Sequence, residues 1–209
     1  RLGGAGNVAA NIRGLGAVCH LVSVIGDDEP GRSLSQILGA HGVNRHLHID
    51  TTSRTTEKLR IISRNQQLLR ADFEDTPRKE VIDRCLSDYE ELLSKADVVV
   101  ISDYGKGSLQ NTEWMIQLAK EQEVPVVVDP KGRDFSRYRG ATVVTPNELE
   151  LRGVVGTWSS SAEMEDKALD LVRQIEIDGL LVTRGEDGMM LFRLEGESLE
   201  ETARSLEVY

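Results

Sequence analysis

Cysteine, proline and aromatic residues are scarce in this sequence, and long apolar runs are absent. Only two cysteines occur among the 209 residues, Cys19 and Cys85, and they have neither a CxxC nor a metal-ligand spacing. This argues against a disulfide framework and a thiolate metal centre, and we expect two reduced thiols in a cytoplasmic protein. No apolar run reaches the roughly 18 residues of a membrane-spanning helix, and the N-terminal residues show no signal-peptide pattern.

Basic residues are also few relative to acidic ones. The chain has 35 acidic and 25 basic residues, which gives a net charge of −10. Nonspecific binding to nucleic acids depends on neutralising phosphates with basic residues, so we expect no nucleic-acid partner and no membrane partner. A small phosphorylated ligand needs only a local cluster of cations. The chain length suits one α/β domain, alone or with a small appendage.

Short apolar runs rich in β-branched residues recur along the chain and predict the strands of a sheet. Almost wholly apolar strands are typical of parallel sheets that are covered on both faces. Amphipathic helical patterns lie between these runs, and repeated strand–helix–strand units predict a layered α/β fold with a mostly parallel sheet. The predicted strands are 97–102, 124–128, 142–145 and 179–183, and the predicted helices are 30–41, 78–94, 110–121 and 162–176.

One segment departs from this alternation, because three strand-like pieces follow one another without a helix between them. They span 46–50, 56–63 and 66–73, and Arg64 and Asn65 are suited to a tight connection between the last two. We therefore predict a small β-sheet lid, residues 46–74, inserted into a core that is formed by residues 1–45 and 75–209.

Cations are concentrated on one face of this predicted lid. A period of two places Lys58, Arg60 and Arg64 on one side, with apolar residues such as Leu59 and Ile61 on the other. Such a face would suit an anionic substrate or an anionic partner surface. The alternative is the solvated outer face of a half-buried sheet.

A glycine-rich segment, residues 3–16, leads into a predicted helix. Small residues at positions 3–6 allow a ligand to approach the backbone, and they leave peptide N–H groups available at a helix start. Asn7, which we expect to open the helix, has a side chain that can bind hydroxyl groups. Close helix–strand packing is the alternative, and a dinucleotide fingerprint is poorly supported because it requires a preceding strand.

Polar residues follow directly after two of the predicted strands, where ligands of open α/β sheets bind. Asp103 and Lys106 follow one strand, and Lys131 follows another. A carboxylate there could hold a sugar hydroxyl, and the lysines could meet a phosphate as point charges. Helix capping by Asp103 and a turn at Asp129 and Pro130 are the alternatives.

Two more segments at strand ends have capping or turn patterns of their own. In TPNELE (145–150), Asn147 and Glu150 have the spacing of a capping box. VTRGEDG (182–188) could be a β-turn that joins two strands. Neither pattern is specific when it is taken alone.

Taken in order, these motifs resemble those of the PfkB family of ribokinase-like carbohydrate kinases. The resemblance is carried by GxxNxA with Gly16 and Gly26 at the family spacing, by NxxE at 147–150 and by TxGxxG at 183–188, and it covers essentially the whole chain. It implies ATP and Mg²⁺ as cofactors, with Glu150 acting on the metal either directly or through a water molecule. The implied ATP-binding residues are Asn147, Glu148, Leu149, Glu150, Thr183, Gly185 and Gly188.

Longer strings resemble the D-glycero-β-D-manno-heptose 7-phosphate kinases of that family. KLRxxSRNQQLLRxDFE (58–74) is similar to their lid, and SDYxKG (102–107) and DPKGxDFxRYRGAT (129–142) are also similar. This implies phosphorylation of the anomeric hydroxyl to the 1,7-bisphosphate, on the route to ADP-heptose and the lipopolysaccharide core, and a homodimer paired through the lid. The implied substrate-binding residues are Gly3, Gly4, Asn7, Lys58, Arg60, Asp103, Lys106 and Lys131.

The family's GAGD motif, whose aspartate takes the proton from the attacking hydroxyl, does not occur in the sequence. We therefore expect a family domain truncated at both ends, with the base beyond Tyr209 and no catalytic residue within these 209 residues. Two alternatives stay open. One is another sugar or sugar-phosphate kinase of the same fold, and the other is a non-catalytic nucleotide- or sugar-binding module.

Overall fold

The computed structural model describes residues 1–64, 66–103, 111–195 and 198–203. The chain divides into two compact units, one spanning Arg1–Leu92 and the other beginning at Leu93. Within the described ranges, no helix has the length and apolar character needed to cross a membrane.

The first unit combines helices with a pair of parallel strands. Strands β1 and β2 are parallel, with His20 opposite Asn44 and Gly26 opposite Asp50. Helices α1 and α2 contribute Ala9 and Leu38 to an apolar cluster that also contains Cys19 and Val43. The elements of this unit are α1 Gly4–Gly14, β1 His20–Gly26, α2 Glu29–Ala40, β2 Asn44–Asp50, β3 Glu57–Ser63, β4 Gln66–Phe73 and α3 Lys79–Leu93.

The strand predicted at 46–50 is present as β2, but its partner differs from the prediction. It pairs with β1 rather than joining the lid sheet, because its alternating pattern identifies a strand and carries no information about which neighbour it pairs with. Strands β3 and β4 form a separate antiparallel sheet of two strands. The predicted lid, residues 46–74, lies within the first unit, and its status as a separate domain stays a prediction.

The predicted cationic face of the lid is shorter than expected. Arg64 lies beyond the end of β3, in a turn with a φ of 47°, so the alternation of the strand does not extend to it. The register shift between Ile61 and Ile62 leaves Leu68 of β4 out of the pairing. The strand itself therefore places only Lys58 and Arg60 on this face, and the position of Arg64 there stays a prediction.

The second unit is built around a sheet of six strands in the order β10-β9-β8-β7-β6-β5. Strands β5 to β8 are parallel neighbours, and β9 and β10 continue the sheet in antiparallel orientation. This confirms the predicted α/β fold with a mostly parallel sheet. Its elements are β5 Val99–Ser102, α4 Thr112–Glu121, β6 Val126–Asp129, a 3₁₀ turn Ser136–Tyr138, β7 Val143–Val144, α5 Glu148–Val155, α6 Ser161–Ile175, β8 Gly179–Thr183, a 3₁₀ turn Gly185–Asp187, β9 Met189–Phe192 and β10 Leu199–Glu201.

The core of this unit explains why its strands are so uniformly apolar. Val128, Val144, Leu180 and Val182 are fully buried, as expected for strands that helices cover. Helix α4 packs on β6, and α6 packs on β8 and β9. Because β5 to β8 run in the same direction, their carboxyl ends lie side by side along one edge of the sheet, and the loops that leave them can form a shared site.

Candidate active site

Asp103 stands at the carboxyl end of β5 and is almost completely buried, with 3% of its surface exposed. Its backbone N–H donates to the Asp129 carbonyl oxygen at 2.9 Å, which extends the pairing of β5 with β6. The carboxylate accepts a hydrogen bond from the Tyr138 hydroxyl at 2.8 Å, and Arg137 Nη1 lies 3.4 Å from the same oxygen. These contacts offset the cost of burying a charged group.

Tyr138 is a functional candidate that the sequence reasoning missed. Its side chain is fully buried, and its hydroxyl accepts a hydrogen bond from the Lys131 backbone N–H at 3.0 Å while donating to Asp103. Burial raises the pKa of Tyr138, and the hydrogen bond to the Asp103 carboxylate raises it further. The signal in the sequence was a single tyrosine between two arginines in a polar loop, directly after the segment that contains Lys131.

Lys131 forms an ion pair with Glu150, with Nζ 3.0 Å from Oε1. The other carboxylate oxygen of Glu150 accepts a hydrogen bond from the Asn147 backbone N–H at 3.0 Å, while the Asn147 side chain accepts from the Glu150 N–H at 2.9 Å. This reciprocal arrangement is a capping box at the start of α5. The capping box that the sequence pattern indicated is therefore present. It also holds the Glu150 carboxylate beside Lys131.

Asp129 adds a third carboxylate to this edge of the sheet. It ends β6 and is half-buried, and burial raises its pKa. The negative charges of Glu150 and Asp103 raise the pKa further, whereas the Lys131 ammonium lowers it. The sequence reasoning treated Asp129 only as part of a turn with Pro130, so its electrostatic coupling to the other two carboxylates was not predicted.

The segment after β8 joins this edge through the backbone. The Thr183 N–H donates to the Pro146 carbonyl oxygen at 2.9 Å, and an isolated parallel bridge pairs Thr183 with Asn147. Gly185 has a φ of 60°, and an added Cβ would meet no described atom within 4 Å, so the backbone is open to a ligand there. There is no such open space at Gly188, because a Cβ at this position would lie 2.0 Å from the Glu201 carbonyl oxygen.

Glu148 and Leu149, two further predicted ATP-binding residues, precede Glu150 in the first turn of α5. Glu148 forms an ion pair with Arg152 one turn along the helix, at 2.9 Å. The Leu149 side chain is 79% exposed, which is unusual for a leucine beside a candidate site and leaves it available to a ligand. The structure thus connects Asp103 to Thr183 through a series of contacts along one edge, in the order Asp103, Tyr138, Lys131, Glu150, Asn147 and Thr183. Their binding roles stay predictions.

The glycine-rich segment belongs to the first unit and differs in one detail from the prediction. Helix α1 begins at Gly4, with Gly3 at the N-cap position, so Asn7 lies in the first turn rather than at its opening. Gly4 has a backbone φ of 53°, a value that residues other than glycine rarely adopt. Gly3, Gly4 and Asn7 are exposed, and among the described residues no side chain caps this helix start. Lys106 lies outside the described residues.

Charged residues of the lid lie opposite each other across its two strands. Arg60 is directly opposite Arg70, and Lys58 is opposite Asp72. Arg70 also pairs with Asp72, with Nε 3.0 Å from Oδ1. Like charges opposite each other in a sheet are unfavourable, so a bound anion would relieve the repulsion between Arg60 and Arg70.

The residues near Glu150 suit a magnesium ion held in part by water. Within the ranges that the structure describes, no group of three or more His, Cys, Asp or Glu side chains is arranged to enclose a metal. Mg²⁺ usually keeps several waters and takes one or two protein carboxylates together with substrate phosphates. Glu150, with Asp129 within electrostatic range, meets that requirement, and Lys131 supplies positive charge at the same place.

Comparison with known proteins adds independent information about this arrangement. The bifunctional protein HldE of Coxiella burnetii (strain Dugway 5J108-111) is 45% identical over 209 residues, and that of Stutzerimonas stutzeri (strain A1501) is 48% identical over 209 residues. Each match covers 100% of this chain and 44% of the relative, so the chain spans less than half the length of these curated relatives.

Solved structures share the fold at low sequence identity. A mutant of phosphofructokinase-2 from Escherichia coli matches with a TM-score of 0.81 and 19% identity, over 98% of this chain and 68% of that chain. Arabidopsis thaliana ribokinase, solved with ribose and ATP, matches with a TM-score of 0.73 and 18% identity, over 94% of this chain and 65% of that chain. These likenesses show a ribokinase-like α/β fold. The profile described as "pfkB family carbohydrate kinase" matches residues 1–209, and the chain therefore belongs to the pfkB family of carbohydrate kinases.

Proposed function

We propose that the protein transfers the γ-phosphoryl group of ATP to the anomeric hydroxyl of D-glycero-β-D-manno-heptose 7-phosphate and forms the 1,7-bisphosphate. Membership of the carbohydrate kinase family supports the phosphoryl transfer. The identity of 45–48% to bifunctional HldE proteins and the KLRxxSRNQQLLRxDFE string of the lid support the choice of sugar. The product places the protein in the biosynthesis of ADP-heptose and the lipopolysaccharide core.

The observation that carries this proposal is the connected set of contacts between Asp103 and Glu150. Asp103 is a buried carboxylate suited to accept a hydrogen bond from a sugar hydroxyl, and Glu150 is a carboxylate suited to Mg²⁺ and nucleotide phosphates. Tyr138 and Lys131 link them through hydrogen bonds of 2.8–3.0 Å and an ion pair of 3.0 Å. Phosphoryl transfer relies mainly on positioning and charge stabilisation, and the ordered charged groups along this edge support such a role.

The proposed roles are those that the family resemblance implies for these residues. Asn7 and Asp103 bind sugar hydroxyls, while Asn147, Glu150, Thr183 and Gly185 face the nucleotide. Glu150 would help to hold Mg²⁺, which when bound would supply positive charge beside the phosphates. The anomeric oxygen attacks the γ-phosphorus, the bond from that phosphorus to the ADP oxygen breaks, and the hydroxyl proton passes to a general base. We assign that base to the aspartate of the GAGD motif, which the family resemblance implies and which does not occur among these 209 residues.

The lid is proposed to bind the 7-phosphate. Arg60 and Arg70 lie opposite each other and Lys58 lies two residues along the same strand, so a phosphate near this pair would be met by several N–H donors. Guanidinium groups bind phosphate oxygens in a bidentate manner. Lys131 stands beside Glu150, and we propose that it meets a phosphate as a point charge.

The apolar face of the lid is proposed to pair two subunits. Leu59, Ile61 and Leu69 are each about half exposed, at 53%, 46% and 54%, and Ile61 is directly opposite Leu69. A sheet of two strands is marginally stable in water unless its apolar face is covered, and a second copy of the lid would cover it symmetrically. Sedimentation of the full-length protein should give a dimer, and Ile61→Asp should give a monomer.

A panel of phosphoryl acceptors tests the substrate. The full-length protein is incubated with Mg²⁺-ATP and with heptose 7-phosphate, fructose 6-phosphate, ribose or a nucleoside, and ADP formation is measured. We expect the highest kcat/KM with heptose 7-phosphate. Higher activity on fructose 6-phosphate would point to another sugar-phosphate kinase of the same fold. Binding of ATP and sugar without turnover would point to a non-catalytic binding module.

A further inference from the structure

The Tyr138 hydroxyl has a defined direction because both of its hydrogen-bonding functions are engaged. The Lys131 backbone N–H donates to the hydroxyl oxygen at 3.0 Å, and the hydroxyl donates to Asp103 Oδ2 at 2.8 Å. The Lys131 carbonyl oxygen is a more distant acceptor, at 3.1 Å. The shorter distance and the negative charge of the carboxylate both favour Asp103 as the acceptor.

The ring of Tyr138 is held in place by its surroundings. It is fully buried in the 3₁₀ turn Ser136–Tyr138, and the Phe135 ring meets its edge at a centroid distance of 5.5 Å. The turn is itself fixed at its start, because Asp134 accepts a hydrogen bond from the Ser136 N–H at 2.9 Å. A buried hydroxyl on a fixed ring is a rigid donor, so it restricts the rotation of its acceptor.

Asp103 is held from a second direction by Arg137. Arg137 Nη1 lies 3.4 Å from Asp103 Oδ2, and Arg137 Nη2 donates to the Thr112 hydroxyl at 3.3 Å. The backbone of Asp103 is fixed through its hydrogen bond to Asp129. The Tyr138 hydroxyl and the Arg137 guanidinium thus converge on the same carboxylate oxygen, Oδ2. Both groups restrain the orientation of the Asp103 carboxylate.

We propose that Tyr138 is a positioning residue that orients the Asp103 carboxylate toward a hydroxyl group of the sugar substrate. This inference rests on the proposed function, in which Asp103 binds that hydroxyl. Tyr138 is not itself a substrate contact, because its hydroxyl is engaged by Asp103 and by the Lys131 backbone. Its contribution is made through Asp103, and it anchors the β5 and β6 ends to each other through the Lys131 peptide.

The hydroxyl remains a donor over the pH range in which such a site would work. Burial raises the pKa of Tyr138, and the contact with Asp103 adds to the effect, although the hydrogen bond from the Lys131 N–H opposes it. A tyrosine with a raised pKa keeps its proton through neutral and mildly alkaline pH. The orientation of Asp103 should therefore not change with the ionisation of Tyr138.

Tyr138→Phe tests this inference, because it removes the hydroxyl and keeps the ring. Steady-state kinetics are measured on the full-length protein with heptose 7-phosphate and ATP. We expect kcat/KM for the sugar to fall by roughly ten- to hundredfold, as a misplaced substrate contact does, with the KM for ATP unchanged. Arg139→Gln is the matched control, since Arg139 bonds to Glu176 and the Gln174 carbonyl oxygen instead.

A double-mutant cycle separates positioning from general packing. If Tyr138 acts through Asp103, adding Tyr138→Phe to Asp103→Ala should change kcat/KM by less than about threefold, because independent effects would multiply. Full multiplication of the two single effects would overturn the inference, as would wild-type kinetics in Tyr138→Phe. If Asp103→Ala does not fold, the split between the sugar and ATP constants in Tyr138→Phe decides. Failure of the proposed function would show differently, as a wild-type protein without activity on the sugar.

Discussion

The ammonium group of Lys131 lies 3.0 Å from Glu150 Oε1, so a predicted phosphate-binding cation stands beside the predicted magnesium-binding carboxylate. Each group partly neutralises the other, and both influence the half-buried Asp129. The pair is accessible from solvent mainly on the lysine side, because the Lys131 and Glu150 side chains are 53% and 16% exposed. A phosphate that approaches this edge would meet the lysine first.

Lys131→Met should raise the pKa of Asp129. The Lys131 ammonium lowers that pKa, whereas burial and the charges of Glu150 and Asp103 raise it. Removing the cation leaves burial and the two carboxylates, which all raise the pKa of Asp129. The Asp129 carboxylate should therefore take up its proton at a higher pH than in the wild-type protein. Titration of the Asp129 carboxyl carbon by NMR measures the change. An unchanged or lowered pKa would show that the Lys131 ammonium does not remain near Asp129 in solution.

Arg60→Gln should weaken binding of the sugar phosphate without weakening the fold. Arg60 lies opposite Arg70, so its loss removes a repulsion and should not lower the melting temperature. It also removes a phosphate donor, and the KM for heptose 7-phosphate should rise by about tenfold or more, as for the loss of a charge-assisted hydrogen bond. The KM for ATP should stay constant.

Arg45→Gln is the control for this change, since Arg45 bonds to Ser35 in the same unit and is not a lid residue. It should leave the KM for the sugar unaltered. Equal KM values in Arg60→Gln and the wild-type protein would remove Arg60 from the phosphate site. The lid would then retain only its proposed role in pairing subunits.

Asp50→Asn should make the stability of the protein less dependent on pH under acidic conditions. Hydrogen bonds from the Arg78 backbone and the Thr52 backbone and side chain, together with the Arg78 guanidinium, hold the pKa of the buried Asp50 well below its ordinary value of 3.8. A lowered carboxyl pKa contributes stability above the unfolded-state value, and that contribution is lost as the pH falls below it.

Urea unfolding at several pH values measures this contribution. The wild-type protein should exceed Asp50→Asn in its free energy of unfolding at pH 7, and the difference should shrink steadily as the pH falls below about 4. Asp75→Asn is a control, because Asp75 pairs with the exposed Arg54 and should matter less. A difference that stays constant with pH would contradict the assignment to Asp50 ionisation.

Gly188→Ala should destabilise the second unit strongly. Gly188 has a φ of 91°, and an added Cβ would lie 2.0 Å from the Glu201 carbonyl oxygen and 2.7 Å from the Ala203 nitrogen. Gly132 has a similar φ of 94° and open space around it among the described atoms, so Gly132→Ala isolates the cost of the backbone conformation, about 1–3 kcal/mol. Thermal unfolding should show a larger loss for Gly188→Ala, and equal losses would indicate that β10 does not pack closely there.

Most of the second unit was predictable from local patterns. The runs at 124–128 and 179–183 became β6 and β8 with few changes at their ends, because strands buried on both faces are continuously apolar. The helix predicted at 162–176 became α6, Ser161–Ile175, since its apolar positions recur at helical spacing. The strand–helix alternation then fixed the parallel arrangement of β5 to β8.

The errors and omissions concern relationships between distant residues. The pattern of residues 46–50 predicted a strand correctly and its partner wrongly, because pairing with β1 depends on the packing of the whole first unit. The alternation also did not show that Arg64 lies in a turn beyond β3, so its place on the strand face stays a prediction. Tyr138 was missed because its importance depends on its hydrogen bonds to Asp103 and Lys131, which are 35 and 7 residues away in the chain.

The most direct test of the account is the chemical identity of the product. Full-length protein is incubated with Mg²⁺-ATP and D-glycero-β-D-manno-heptose 7-phosphate, and the mixture is followed by ³¹P NMR. We predict a second sugar phosphorus signal, coupled to the anomeric proton and formed in equal amount with ADP. Persistence of the 7-phosphate as the only phosphorylated sugar, under conditions in which the protein binds ATP, would contradict the central claim.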